Sequence, residues 1–330
     1  MDEPIVFQLP LTTQFRGITA REGVLLKGAA GWGEFSPFLE YDDAEAANWY
    51  RAAVEAAEVG WPEPLRDRIP VNATVPAVDP EVAADIVRES GGCTTVKVKV
   101  AQAGQDLQQD LNRVAAVRAV LGPAGKIRVD ANGAWELKEA LAALKALDKA
   151  AGGLEYAEQP VASVDDLARV RRQAKVLIAA DESIRRAADP AAVVRAEAAD
   201  VLVLKVQPLG GVRPALALAE ELGLPVVVSS AVETAVGLAA GLALAAALPE
   251  LPFACGLATG QLLRADVVSD PARPIDGFLP VGAVTPQALA LERAAARAAA
   301  SPGKVAHWLA RLAAVQKLVE LNLVESERVD

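Results

Sequence analysis

Charged residues close short apolar runs at a near-regular interval along this chain: Lys97 and Lys99 in TVKVKV, Asp130 in IRVDANG, Glu158 in LEYAEQP, Asp181 in LIAADES and Lys205 in VLVLKVQP. Each run is followed by a segment with helical patterning, and neighbouring members stand roughly 23 to 31 residues apart, the length of one strand-plus-helix unit. A chain that repeats this unit builds a parallel sheet with helices outside it, and closing the sheet gathers the strand ends at one mouth. The ladder therefore predicts an α/β barrel and one place where three carboxylates meet lysines.

The rest of the pattern agrees. Strand-like runs fall at 71–75, 94–100, 126–130, 154–158, 176–181, 200–206, 225–229 and 253–257. Amphipathic stretches separate them at 80–88, 107–121, 135–147, 164–173, 190–197, 213–222 and 234–248. The runs are rich in Val, Ile and Leu and bounded by Gly, Pro or Asp, as buried parallel strands are. An open doubly wound sheet would carry a G-x-G-x-x-G turn after a strand, and none follows one here. Residues 1–68 read differently: Ile5-Val6-Phe7, Gly23-Val24-Leu25-Leu26 and the Gly31-Trp32-Gly33-Glu34 turn predict an antiparallel meander, with one or two helices over 42–59, an α+β unit. The barrel is expected over 69–284, its last part Pro- and Asp-rich and extended. A helical tail over 285–330, broken at Ser301-Pro302-Gly303, is expected to pack back on the N-terminal unit or to serve an oligomer contact.

Composition narrows the partner. A formal net charge of −10 argues against nucleic acid, whose recognition needs a basic footprint, and leaves a small-molecule substrate as the better fit. The most apolar stretch, Ala235 to Leu251, consists mostly of small Ala and Gly and runs into Pro-rich sequence, so no membrane span is expected. Asp2, Glu3 and Pro4 occupy the place of a signal peptide's basic region. Cys93 and Cys255 are far apart and read as buried small hydrophobes in a reducing cytoplasm. Monomer and homo-oligomer stay equally open.

Side chains alternate across a strand, so Lys97 and Lys99 face one way while Val96, Val98 and Val100 face the other. On a solvent-facing edge strand K-x-K is a common pattern. Inside a barrel, a lysine beside a second cation in a low dielectric has a lowered pKa and becomes a usable base. Asp130, Glu158 and Asp181 at matching strand ends favour the barrel interior. Three buried carboxylates need a counter-cation, and a hard divalent ion suits them: Mg²⁺, with Mn²⁺ as a substitute. Of the adjacent pair Asp181 and Glu182, Asp181 ends the apolar run and points inward, leaving Glu182 as an ion-pair partner. Lys205 lies across the barrel from Lys99, where a Schiff-base nucleophile is a second reading. Asn132 and Gly133 form a turn after Asp130, with Asn132 also placed to touch substrate. Ser229, Ser230, Gly256 and Thr259 stand at the ends of strands seven and eight, where hydroxyl and backbone donors would hold a ligand. The single histidine, His307, lies in the tail, which excludes histidine chemistry in the barrel.

K-x-K, D-x-N, E-Q-P, D-E-S and a later strand-end lysine, in this order, resemble the muconate-lactonising branch of the enolase superfamily. Within it, FRGITAREGVLLKG followed by AGWGEFSPF, with SSAVETAVG and CGLATG near the end, resembles the actinobacterial dehydratases that form o-succinylbenzoate. The resemblance implies an α+β capping domain over a (β/α)7β barrel. It implies Mg²⁺ on Asp130, Glu158 and Asp181, Lys99 as acid and base, and Lys205 as a cation facing the reaction intermediate. Lys97 would then lower the pKa of Lys99 or touch the substrate carboxylate, and Arg16 would contact substrate where the cap closes over it. The implied reaction is syn loss of water from 2-succinyl-6-hydroxy-2,4-cyclohexadiene-1-carboxylate through an enediolate, a step toward menaquinone. Racemisation of N-acylamino acids and epimerisation of dipeptides use the same metal with a lysine on each face, and stay open beside it.

Overall fold

The computed structural model describes residues 2–15 and 17–326. The cap opens with β1 (Ile5–Phe15), β2 (Ile18–Lys27) and β3 (Trp32–Phe35), an antiparallel sheet in that order, followed by α1 (Asp43–Val54) and one π-type turn over Glu55–Val59. Phe7, Leu9 and Leu11 bury every second side chain of β1. Asp42 caps α1 by accepting from Glu45 N at 2.9 Å.

After β4 (Arg68–Pro70) the barrel follows. Its strands are β5 (Ala73–Val75), β6 (Thr95–Lys99), β7 (Lys126–Asp130), β8 (Leu154–Glu158), β9 (Ile178–Ala180), β10 (Val201–Leu204) and β11 (Val226–Val228), paired in parallel in sequence order. Outside run α2 (Pro80–Arg88), α3 (Leu107–Leu121), α4 (Leu137–Ala151), α5 (Val164–Gln173), the short α6 (Glu182–Arg185) and α7 (Ala192–Arg195), α8 (Val212–Leu222) and α9 (Ala235–Ala247). β12 (Phe278–Pro280) pairs antiparallel with β4, and α10 (Ala288–Ala299) and α11 (Lys304–Ser326) complete the chain. Trp308, Leu312 and Val315 of α11 share a buried cluster with Phe35, Phe38 and Trp49 of the cap.

Two expectations change. The eighth strand, expected over 253–257, is reduced to parallel bridges: Cys255 to Val71 on one side and Gly256 to Ser229 on the other. These close the barrel, with Cys255 N donating to Pro70 O at 2.7 Å and Gly256 N to Val228 O at 2.8 Å. The segment is too short for a ladder because the chain turns at once into a 3₁₀ helix over Ala258–Leu262. The helix expected over 190–197 forms only at Ala192–Arg195. Val193 and Val194 bond three residues back, to Pro190 and Ala191, and Glu197 takes a left-handed φ of 50°, so the segment is a tight turn.

Strand pleating sorts the two faces. Val96, Val98, Ile127 and Val129 pack outward against the helices, while Lys97 registers with Arg128, Lys99 with Asp130, Arg128 with Tyr156 and Asp130 with Glu158. The interior floor is therefore partly polar. Arg128 lies 4.6 Å over the Tyr156 ring and is bound to Glu155 at 2.5 Å and Asn72 at 3.0 Å.

The cap is seated on the barrel through buried carboxylates. Glu34 of β3 accepts from Thr234 N, Thr234 Oγ1 and Gly237 N at 2.6–3.1 Å, a carboxylate at the N-terminus of α9. A Cβ at Gly237 would stand 2.7 Å from that carboxylate, which explains glycine there. Beside it Glu233 is pushed up to about 7, first by burial and next by the charge of Glu34, against an ordinary 4.5. Burial likewise raises Glu34 and Asp266. A carboxyl with a raised folded pKa contributes stability that is full below its ordinary pKa and is lost as pH climbs through about 7. Melting temperature should accordingly fall by a few degrees between about pH 5 and pH 8. Glu233→Gln should flatten that fall, and an unchanged slope would remove Glu233 as its source.

Candidate active site

Lys99 and Lys205 each meet a carboxylate from the neighbouring strand end, and Lys97 reaches Glu158 two strands away. Lys97 Nζ donates to Glu158 Oε1 and Oε2 at 3.2 and 3.0 Å and lies 3.6 Å from Asp130 Oδ2. Lys99 Nζ donates to Asp130 Oδ2 at 2.5 Å and to Asn132 Oδ1 at 2.8 Å. Across the mouth, Lys205 donates to Asp181 Oδ2 at 2.5 Å, and Arg185 Nε to Asp181 Oδ1 at 2.8 Å. Asp130, Glu158 and Asp181 are all buried. Glu182 stays at the rim, accepting from Arg185 Nη2 at 2.6 Å and Asn132 Nδ2 at 3.1 Å.

Lys97, Lys99, Lys205, Asp130, Asn132, Ser229, Ser230, Gly256 and Thr259 line one pocket, together with Phe15 of the cap and Thr74. Ser230 Oγ and Thr259 Oγ1 lie 2.5 Å apart, so the two hydroxyls are bonded across strand ends seven and eight. Phe15, Lys99 and Asn132 also line an outer cavity of about 630 Å³ between cap and barrel, so the inner pocket opens outward there. Arg16 lies outside the described residues. Glu158 and Asp181 sit behind the lysines rather than on the pocket wall.

Electrostatics separates the carboxylates. Burial opposes ionisation of all three. At Asp130 the charges of Lys99 and Lys97 outweigh it, and at Asp181 those of Arg185 and Lys205 do, so both are held well below the ordinary range. Glu158 is pushed up to about 7, by burial first and by Asp130 next. Burial also opposes charge on Lys97, but Glu158 and Asp130 outweigh it and its pKa is raised. The nearest charges to Lys97 are thus anions rather than its fellow lysine. Lys205 moves the other way: burial lowers it, only partly offset by Asp181.

Among the described residues no three His, Cys, Asp or Glu side chains stand together ready to ligate, since each carboxylate is turned to a cation. The donor set nevertheless fits a hard divalent ion: three buried oxygen donors at the ends of three neighbouring parallel strands.

Two supporting residues were not anticipated. Arg185, one helical turn after Asp181, ties Asp181, Glu182 and Tyr41 of the cap together, the Tyr41 hydroxyl accepting at 2.7 Å. Its i+4 spacing in D-E-S-I-R was the available signal. Gln159 takes φ 38°, and its Oε1 accepts from Asp181 N and Ser183 N at 3.0 and 3.1 Å, fixing the backbone on which Asp181 stands.

The pattern described as Enolase C-terminal domain-like matches residues 81–286, and Enolase N-terminal domain-like matches 6–57. The o-succinylbenzoate synthase of Thermobifida fusca is 63% identical over 310 residues, 94% of this chain and 95% of its own. That of Mycobacterium leprae is 53% identical over 292 residues, 88% of this chain and 86% of its own. Among solved structures, a substrate-liganded L-Ala-D/L-Glu epimerase from Bacillus subtilis has a TM-score of 0.73 at 25% identity, over 86% of this chain and 96% of that one. Muconate lactonizing enzyme from Pseudomonas fluorescens, complexed with muconolactone, shares the fold with a TM-score of 0.74 at 23% identity, over 88% of this chain and 97% of that one. Matched in both cap and barrel, and more than half identical to the two synthases along most of its length, the chain belongs to the enolase superfamily of enzymes.

Proposed function

We propose that this chain dehydrates 2-succinyl-6-hydroxy-2,4-cyclohexadiene-1-carboxylate to o-succinylbenzoate. The observation that carries the reaction class is one pocket lined by both Lys99 and Lys205, with buried carboxylates behind them. The shared name of the relatives supports this substrate. Lys99 Nζ takes the proton from the carbon bearing the carboxylate, then delivers it to the hydroxyl leaving from the same face. The ring C–O bond breaks, water departs and the ring becomes aromatic. Lys205, held opposite by Asp181, faces the negative charge that develops on the substrate carboxylate. Asn132 orients Lys99, accepting from it at 2.8 Å. Asp130, Glu158 and Asp181 would hold Mg²⁺, which when bound supplies positive charge to that carboxylate and makes the adjacent proton acidic enough for an amine.

Lys97 bridges Glu158 and Asp130 and offsets their negative charge. The product would feed menaquinone synthesis. Two free, buried cysteines support a cytoplasmic location, and no described helix is long and apolar enough to cross a membrane.

Epimerisation is the competing reading, favoured by the lysine on each side of the pocket. It needs Lys205 to exchange protons, which arginine does not do. Lys205→Arg should retain at least about 1% of the dehydration rate, since the guanidinium keeps the charge. The assay is the ultraviolet signal of o-succinylbenzoate, run with and without Mg²⁺ beside racemisation of an N-succinylamino acid. Complete loss with folding and Mg²⁺ binding intact would count against the electrostatic role. Absence of wild-type dehydration alongside rapid racemisation would overturn the substrate.

A further inference from the structure

The wall of the substrate pocket contains a backbone conformation that its own sequence does not favour. Val232, in the loop after β11, has a φ of 62°, a left-handed conformation in which a β-branched side chain crowds the backbone. Ser230, Ala231 and Val232 all line the pocket, so the strained residue forms part of the surface that meets the ligand. Strain of this kind persists only where the surroundings over-determine it.

The surroundings come from the cap. Arg21 of β2, buried at 2% exposure, donates from Nε to Val232 O at 3.0 Å. Its Nη2 donates to Ser36 O at 2.7 Å and Ser36 Oγ at 2.9 Å. Ser36 Oγ in turn donates to Glu34 Oε1 at 2.6 Å, and the other oxygen of Glu34 holds Thr234. Phe38 closes the guanidinium from one face at 4.5 Å. From the barrel side, Glu233 folds back so that both of its oxygens accept from Ala231 N, at 2.8 and 2.9 Å. Ser230 Oγ accepts from Val232 N at 3.2 Å. The loop is thus held at Ala231, Val232 and Thr234, and the Val232 contact is a charge-assisted bond from another domain.

We infer that Arg21 is a positioning residue for substrate: by holding the Val232 carbonyl it keeps the Ser230–Val232 wall in a conformation that receives the ligand. The identity of the substrate rests on the function proposed above, whereas the holding of the loop does not. Arg21 lines no cavity that meets the reacting atoms, so its removal acts on binding more than on the chemical step. Lysine at this position keeps the charge and one bond but loses the fork that reaches Val232 and Ser36 together.

The test compares Arg21→Met and Arg21→Lys with the unaltered full chain by two readouts. Without substrate, hydrogen exchange across 229–236 should speed up by about tenfold or more in Arg21→Met and by less in Arg21→Lys, with exchange in β6, β7 and β8 unchanged. In turnover with Mg²⁺, Arg21→Met should raise KM by about tenfold while kcat stays within about threefold, with Arg21→Lys in between. Unchanged exchange with unchanged KM overturns the inference. A fall in kcat that follows the folded fraction at wild-type KM overturns it too, because Arg21 then only supports the fold. Should Arg21→Met fail to fold, Arg21→Lys carries both readouts, and wild-type values for it overturn the inference. Failure of the unaltered chain to dehydrate the proposed substrate sinks that activity and leaves the exchange result decisive for Arg21.

Discussion

Lys99→Ala should lower kcat by about 10³-fold to 10⁴-fold, the upper end of what a positioned acid and base contributes, while the protein folds and binds Mg²⁺. The size of the effect follows from there being no substitute. Lys97 is bound to both oxygens of Glu158 and lies behind the lysine that reaches the pocket mouth. Lys205 is fixed on the far side by Asp181. With His307 far away on α11, no imidazole among the described residues can take over the proton. In the proposed mechanism one group serves both halves of the reaction, so its removal would stop proton abstraction and hydroxyl departure together. The check is kcat under saturating substrate, with melting temperature and Mg²⁺ titration as controls. A near-normal rate would sink the assignment of Lys99 as acid and base.

Glu158→Gln should abolish the rise in melting temperature that Mg²⁺ gives the unaltered protein, and lower turnover by about 10³-fold or more. The amide is the same size and its oxygen still accepts from Lys97, so the change removes one negative charge and one of the two Lys97 bonds. In the unaltered chain Mg²⁺ at about a hundred times its Kd should add about 2.7 kcal/mol, a shift of several degrees. A metal-dependent shift of equal size in Glu158→Gln would show that the ion binds elsewhere. EDTA should stop turnover in the unaltered protein, and borohydride treatment should leave no adduct on Lys205. The pairing of Lys205 with Asp181 and membership of the enolase superfamily both favour its cationic role over imine formation.

Much of this site was legible because side-chain alternation is a local rule. Lys97 and Lys99 had to share a face, and Asp130, Glu158 and Asp181 each ended an apolar run, so their convergence required only that the sheet be parallel and closed. The choice of Asp181 over Glu182 followed the same logic, and the two side chains stand respectively buried and at the rim. Alternation puts Arg128 on the face of Asp130 and Tyr156 on that of Glu158, but no local pattern shows that the two meet. Their stacking in the barrel floor exists only once β7 and β8 are in register. The eighth strand failed as a strand for a related reason: bridging both edges takes two residues, and an apolar run does not reveal where pairing stops.

By itself the sequence determined the order of strands and helices, the inward set of lysines and carboxylates, and the family to which they belong. These depend on periodicity and on residue type, which the chain carries along its length. Only the tertiary structure decided which lysine pairs with which carboxylate, and with it the direction of each pKa shift. It also brought Arg21 and Glu34 of the cap onto the loop between Ser230 and Thr234, some 200 residues away in sequence. Pairing energies and desolvation depend on distance in space, and no local pattern encodes the distance between a cap strand and the last loops of a barrel.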